Sequence, residues 1–218
     1  MKEIFPDLAQ KTQHVPHGML RLPTGKMSSR TGDVITAESL IDETKKRILE
    51  KIEENDRNIE NKEELALQVA VAAIKYSILK QAPGKDIIFD FEKSISFDGD
   101  SGPYIQYAFA RTQSILKKAR DADIKADDFA TNLPINELMQ KLYRFSEVVE
   151  RSGKELVSHY IVTYLTEIAS LFNRFYAEEQ IVDATDPLSG AKVALTAATG
   201  EVLRNGLKLL GISAPEKM

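Results

Sequence analysis

Cysteine is absent from the 218-residue sequence, and histidine occurs only three times, at His14, His17 and His159. The first absence excludes disulfide scaffolds, thiolate zinc sites and cysteine nucleophiles. The scarcity of histidine argues against a histidine-rich metal centre, and no metal ligands are expected. No apolar run approaches the ~18 residues of a membrane span, and Met1–Gln10 lacks the apolar core of a signal peptide. A soluble, cytoplasmic protein without a membrane partner is therefore expected. A net charge of −4 argues against a uniformly basic nucleic-acid binder but leaves room for local basic patches. With 43% hydrophobic and 28% charged residues, the chain has ordinary globular composition and the length to bury a full core.

One absence is local. Between Asp7 and Asp33 there is no acidic residue, whereas Lys11, Arg21, Lys26 and Arg30 all lie there. Pro16, Gly18, Pro23, Gly25 and Gly32 interrupt the same stretch too often for a regular helix. It reads as basic loop with at most short extended pieces, suited to an anion such as phosphate. Within it, Gly25-Lys26-Met27-Ser28-Ser29-Arg30 offers a lysine, an arginine and two hydroxyls beside a glycine. Such a loop can wrap nucleotide phosphates and offset charge on a pyrophosphate leaving group. On composition alone, a solvated basic loop accounts for the same residues.

Helical patterning follows. Thr36 is placed as an N-cap, and Leu40, Ile41, Ile48 and Ile52 form one apolar stripe amid charged residues. This predicts a long, exposed connecting helix ending in the polar run Asn55–Asn61. Glu63–Ala82 is apolar on most of its circumference and ends at Pro83–Gly84, so it reads as a buried helix. Ile87–Ser96 alternates Phe89 and Phe91 with Asp90 and Glu92, the pattern of a short extended segment. Ser101 precedes a helix to about Ala122, with Pro103 in its first turn. Asn132 and Pro134 open another, with Leu138, Leu142, Phe145 and Val149 in its stripe. Val157–Glu179 carries Ile161, Leu165, Ile168, Phe172 and Phe175. Asp186–Pro187 starts the last helix, carried by Val193, Ala197, Leu203, Leu207 and Leu210 and stopped by Gly211. The expected fold is an all-α helical bundle over residues 61–218, preceded by a loop-rich piece over residues 1–60.

Three motifs in this order resemble a known family. Lys26–Arg30 resembles the Lys-Met-Ser signature loop of class I aminoacyl-tRNA synthetases, and HGMLRLPTGKMSSRTGDVITAESLI (17–41) resembles its arginyl-tRNA synthetase version. FDFEKSISFDGDSGPYIQYAFAR (89–111) is similar to the segment that marks that family's anticodon-binding domain. VLRNGLKLLGISAPEKM (202–218) resembles the family's C-terminus. The resemblance implies a ligase that activates arginine with ATP and magnesium and attaches it to tRNA(Arg). It makes residues 1–60 the end of a catalytic domain and 61–218 the anticodon-binding domain.

By position in the motif, Lys26, Ser28 and Ser29, with Met27 and Arg30, are the candidate ATP and transition-state contacts. The family commonly has a second lysine where this chain has Ser29, and either Arg30 or a lysine elsewhere in the enzyme is left to supply that charge. The family's second signature, of histidine-glycine-histidine type, has no match here: His17-Gly18 is followed by Met19, and His159 sits mid-helix. The resemblance therefore implies a C-terminal fragment that does not aminoacylate alone, holds no cofactor tightly, and works with tRNA(Arg) and the rest of the synthetase chain rather than with DNA. An isolated helical module that binds RNA or protein without catalysis is the alternative.

The tRNA-facing candidates are Tyr104, Gln106, Tyr107 and Arg111, then Asn173 and Tyr176, whose segment FNRFYAEE (172–179) resembles the family's anticodon-side residues, and finally Met218, for which a disordered terminus in the absence of RNA is the alternative. Tyr104, Tyr107 and Arg111 are spaced three and four apart and can share a helix face. Aromatic rings there can stack on splayed bases, Gln106 can hydrogen-bond to them, and Arg111 can meet phosphate. The bland alternative is that one tyrosine packs in the bundle and the other covers its surface. Of the two residues the resemblance implies on this helix, Tyr176 suits a base-stacking platform better, because Phe172 and Phe175 already fill the core stripe. The family usually has histidine where this chain has Phe109. Pro16 breaks any helical His14–His17 pair, and His159 reads as a structural histidine.

Overall fold

The computed structural model describes residues 2–23, 36–54, 61–126 and 133–218. Among them are nine helices and one two-stranded parallel sheet, so the all-α expectation holds. The elements are α1 (Pro6–Gln10), β1 (Leu20–Arg21), α2 (Ala37–Glu54), α3 (Lys62–Leu79), β2 (Ile87–Ile88), α4 (Phe91–Ser94), α5 (Gly102–Asp121), α6 (Glu137–Tyr143), α7 (Phe145–Glu155), α8 (His159–Glu178) and α9 (Ser189–Leu209).

Two apolar clusters organise them. The larger joins α3, α5, α6, α8 and α9 around Tyr76, Ile105, Phe109, Leu165, Ile168, Phe172, Leu203 and Leu207. The smaller joins α2 and α3 around Ile48, Ile52, Leu65, Val69, Ala70 and Ile95. Helix α3 belongs to both, which is why its sequence is apolar on nearly every side: Ala72 and Tyr76 face one cluster, Ala66 and Ala73 the other. Helix α5 starts hard against α3. A Cβ on Gly102 would stand 2.4 Å from the Ala72 carbonyl oxygen, so a side chain at residue 102 would push the two helices apart. The α5 start is capped by Ser101, whose hydroxyl accepts from the Tyr104 N–H at 3.1 Å.

Three sequence expectations need correction. Helix α2 is not an exposed connector. Its residues Leu40, Thr44, Ile48 and Ile52 are buried, with Ile41 half-buried, because α3 presents an apolar face to them. Thr36 does cap it, accepting from the Ser39 N–H at 3.1 Å. Residues 87–96 are extended only at Ile87–Ile88; Asp90 then accepts from the Lys93 N–H and starts α4, so the Phe89/Phe91 alternation turns a corner. The helix expected from Asn132 begins at Glu137, where Asn136 accepts from the Met139 N–H at 3.0 Å; Asn132 lies outside the described residues. It stops at Tyr143 and α7 begins at Phe145. The break shifts the stripe by one residue, so Val148 rather than Val149 packs against the core.

The short sheet ties the acid-free segment to the bundle. Leu20 pairs with Ile87 and Arg21 with Ile88. The Met19 N–H donates to Asp86 at 2.9 Å, and Arg21 meets the same carboxylate at 2.7 Å.

Candidate nucleic-acid interface

Lys26, Met27, Ser28, Ser29 and Arg30 lie outside the described residues. Of the other expected site residues, five come together and two do not.

Helices α5 and α8 pack together within the larger cluster, to which Phe109, Phe172 and Phe175 belong, all buried. That contact brings Tyr107 and Arg111, one turn apart on α5, beside Asn173 and Tyr176, one turn apart on α8. The Arg111 guanidinium lies 4.9 Å from the Tyr107 ring centre and 4.8 Å from the Tyr176 ring centre. Its Nη1 donates to Asn173 Oδ1. A cation held between two rings gains about 0.5–1 kcal/mol per exposed contact. Among the described residues Arg111 forms no ion pair, and most of its five N–H donors remain available. Tyr176 is 41% exposed.

The cluster continues into a cleft of about 410 Å³, lined by Tyr107 and Arg111, by Ile48, Lys51 and Ile52 of α2, and by Phe97, Met218 and one side-chain carboxylate, Asp98, which makes no ion pair with Arg111 among the described residues. Met218 does not dangle: it packs on the smaller apolar cluster with Phe97. Phe97 also meets Tyr107 edge-on, their ring centres 6.2 Å apart. The loop carrying Phe97 is pinned from behind, where Tyr76 donates to Asp100, Lys80 meets the same carboxylate at 2.9 Å, and Thr166 lies 2.8 Å from the Tyr76 hydroxyl. Burial pushes the Tyr76 hydroxyl far above its ordinary value, and the bond to Asp100 adds to this. Burial opposes ionisation of Asp100, but the hydrogen bonds from Tyr76 and Lys80 outweigh it and hold the carboxyl below the usual range.

Tyr104 and Gln106 stand elsewhere. Tyr104 is half-buried against the larger cluster, so of the two tyrosines it is the packing one. Gln106 is wholly buried on the inward face of α5, with Nε2 donating to the Ser213 carbonyl at 2.8 Å. It offers no surface to a base. Phe109 is core. Phe97 escaped the sequence reading because it belongs to no periodic stripe; the only signal was its position within the 89–111 motif. The α2 wall was missed because α2 read as solvated.

His14 and His17 are exposed. His159 is half-buried beside the Tyr160 ring. Among the described residues no group of three or more histidine and carboxylate side chains is arranged for a metal, and no helix is long and apolar enough to cross a membrane.

Comparison with known proteins settles the family. Residues 105–218 match the DALR anticodon binding domain, and residues 1–91 match the catalytic domain of class I tRNA synthetases of the arginine type. The chain belongs to the arginyl-tRNA synthetase family. It is 39% identical to the arginine–tRNA ligase of Pyrococcus furiosus over 227 residues, covering 98% of this chain and 36% of that relative. It is 38% identical to the ligase of Streptococcus suis, covering 100% of this chain and 39% of that relative. The solved arginyl-tRNA synthetase of Thermus thermophilus superposes with a TM-score of 0.85 at 34% identity, over 99% of this chain and 37% of that one. The chain thus spans a little over a third of the length of the relatives it matches. In this arginyl-tRNA synthetase frame, Tyr107, Arg111, Asn173, Tyr176 and Met218 all fall within the anticodon-binding match, and Lys26–Arg30 within the catalytic one.

Proposed function

We propose that the chain supplies the anticodon-arm recognition and the ATP-contacting loop of an arginine–tRNA ligase, which activates arginine with ATP and attaches it to tRNA(Arg). The observation that carries this is the Tyr107–Arg111–Tyr176 stack, with an unpaired guanidinium at its centre, inside the anticodon-binding match. Bases splayed from a single-stranded loop stack on the outer face of Tyr176, and Arg111 turns its remaining donors to phosphate or a base edge. Asn173 holds the guanidinium flat without neutralising it. Met218 closes the far side. In the same proposal, Lys26, Ser28 and Ser29, helped by Arg30, contact ATP and its magnesium during arginine activation, in the cytoplasm and together with the rest of the synthetase. Residues 1–60 belong to catalysis and 61–218 to tRNA recognition, although α2 packs across that division onto α3. The 218 residues alone do not aminoacylate, since they contain no histidine-glycine-histidine type motif.

The test is binding of an anticodon stem-loop from arginine tRNA at several salt concentrations. Affinity is expected to fall as salt rises. Tyr176→Ala is expected to weaken it by about 1–3 kcal/mol, the usual worth of a base on an aromatic ring. Equal affinity for wild type and variant would remove Tyr176 from the site, and binding of unrelated RNA or protein instead would favour a general interaction module. In a full-length synthetase carrying these residues, Lys26→Ala is expected to slow arginine-dependent ATP–pyrophosphate exchange about a hundredfold. An unchanged rate would take Lys26 out of the ATP site.

A further inference from the structure

Gln106 is a buried amide in an otherwise largely apolar helix face. It is fully covered, its Nε2 has one partner, the Ser213 carbonyl at 2.8 Å, and its Oε1 is buried without a hydrogen-bond partner among the described residues. Burying an unmatched acceptor costs free energy that an apolar side chain of similar size would avoid. What the amide does is hold the segment after α9.

That segment is delivered to it by a defined turn. Helix α9 ends with the Ile212 N–H donating to the Leu207 carbonyl and the Gly211 N–H to the Lys208 carbonyl, both at 2.9 Å. This is a Schellman closure, and Gly211 takes the left-handed conformation it needs, with φ of +65°. Ile212 is then buried beside Leu207, and Lys75 of α3 donates to the Gly211 carbonyl. From Ser213 the chain has five more residues, a reach of at most about 17 Å. They end at Met218, against the smaller apolar cluster and in the cleft shared by Tyr107 and Arg111. Gln106 is the residue before Tyr107.

We propose that Gln106 is a positioning residue: by holding Ser213 it sets the 213–218 segment so that Met218 forms a fixed wall of the Tyr107–Arg111 cleft, and RNA affinity depends on that wall. The affinity part rests on the RNA-binding reading above; the positioning part does not. One α5 residue pointing inward and the next pointing outward thus serve the same site from two sides.

The test uses the 218-residue chain labelled at the ε-methyls of its five methionines, with Met218→Ala assigning the signal. Gln106→Leu is expected to move the Met218 methyl signal toward that of an exposed methionine. It is also expected to weaken anticodon stem-loop binding about fivefold, the scale of one lost hydrogen bond. In the Met218→Ala background the same substitution should change affinity less than twofold. An unmoved methyl signal in folded Gln106→Leu overturns the proposal, and so does an equal affinity loss in both backgrounds, which would mark a general structural role. Should Gln106→Leu not fold, Lys75→Ala removes the other hold on the segment, and an unmoved Met218 signal there is equally fatal. A wild-type chain that binds no stem-loop sinks the RNA reading and the affinity part together, while the methyl shift still decides whether Gln106 sets Met218.

Discussion

The two ends of α8 carry the same pairing, an arginine over a tyrosine ring, in opposite electrostatic settings. At the start of the helix Arg151 lies 4.3 Å from the Tyr160 ring centre, but its Nε donates to Glu155 at 2.9 Å, and the Tyr160 hydroxyl donates to the same carboxylate at 2.6 Å. Arg144, nearby, is held by Glu147 through two bonds of 3.0 and 3.1 Å. At the other end Arg111 sits between two rings, bonded to the neutral Asn173. The start of α8 even has a comparable cleft, about 390 Å³, lined by Arg144, Arg151, His159 and Tyr164. Its cations are already matched. The cation–aromatic contact is therefore common to both ends and does not by itself mark a nucleic-acid site; what sets the Arg111 end apart is a cation bonded to a neutral partner beside an exposed ring, the feature on which the proposed RNA contact rests.

The comparison can be broken most severely by removing each arginine in turn. Arg111→Ala is expected to weaken stem-loop binding by about 1.5–3 kcal/mol, the worth of charge-assisted contacts. Arg151→Ala should leave the affinity within about twofold, since an exposed, satisfied pair contributes little. Similar losses from both substitutions, measured by fluorescence anisotropy, would erase the distinction between the two ends.

A gentler change turns one end into the other. Asn173→Asp places a carboxylate on Arg111 with almost no change in shape. RNA affinity is expected to fall about threefold to tenfold, with the slope against salt becoming shallower. The folded state should gain at most about 1 kcal/mol by urea titration. An unchanged salt slope would mean that the charge on Arg111 is not what RNA meets.

The smallest effect is in pH. The hydrogen bond from Tyr160, and then that from Arg151, hold Glu155 below the usual carboxylate range, and Arg144 does the same for Glu147. A lowered folded value means that these pairs contribute at neutral pH and are lost as pH falls through that value, below about 4.3. Acidification from pH 5 to about 3 should therefore shift the Nε–H signals of Arg144 and Arg151. The Arg111 Nε–H signal should stay in place, because Asn173 does not titrate. Movement of all three together would mean that a carboxylate governs Arg111 as well.

Much of this was readable from the chain. The stripes Ile161–Phe175 and Val193–Leu210 describe buried helix faces because helical period and burial are repeated over many residues. The caps at Thr36 and Ser101 followed from hydroxyls standing before apolar periods. What failed was short or single. Helix α4 spans one turn, begun by an aspartate that an alternating pattern concealed. The break at Arg144 has no proline or glycine to announce it. Within the candidate site, spacing put Tyr104, Tyr107 and Arg111 on a common face, but a helix face is wide enough to be half core and half solvent. Tyr104 fell on the first half and Arg111 on the second.

The sequence by itself determined where helices run and which stripe of each is apolar, since those properties depend on neighbours within a few residues. Only the tertiary structure decided which polar side chains meet. Tyr107, Arg111, Asn173, Tyr176 and Met218 come from three separate stretches of chain, and their meeting depends on how α5 crosses α8 and where the 213–218 segment is held. The same reason reversed the role of Gln106. Its amide suits a base or a backbone carbonyl equally well, and packing chose the carbonyl of Ser213.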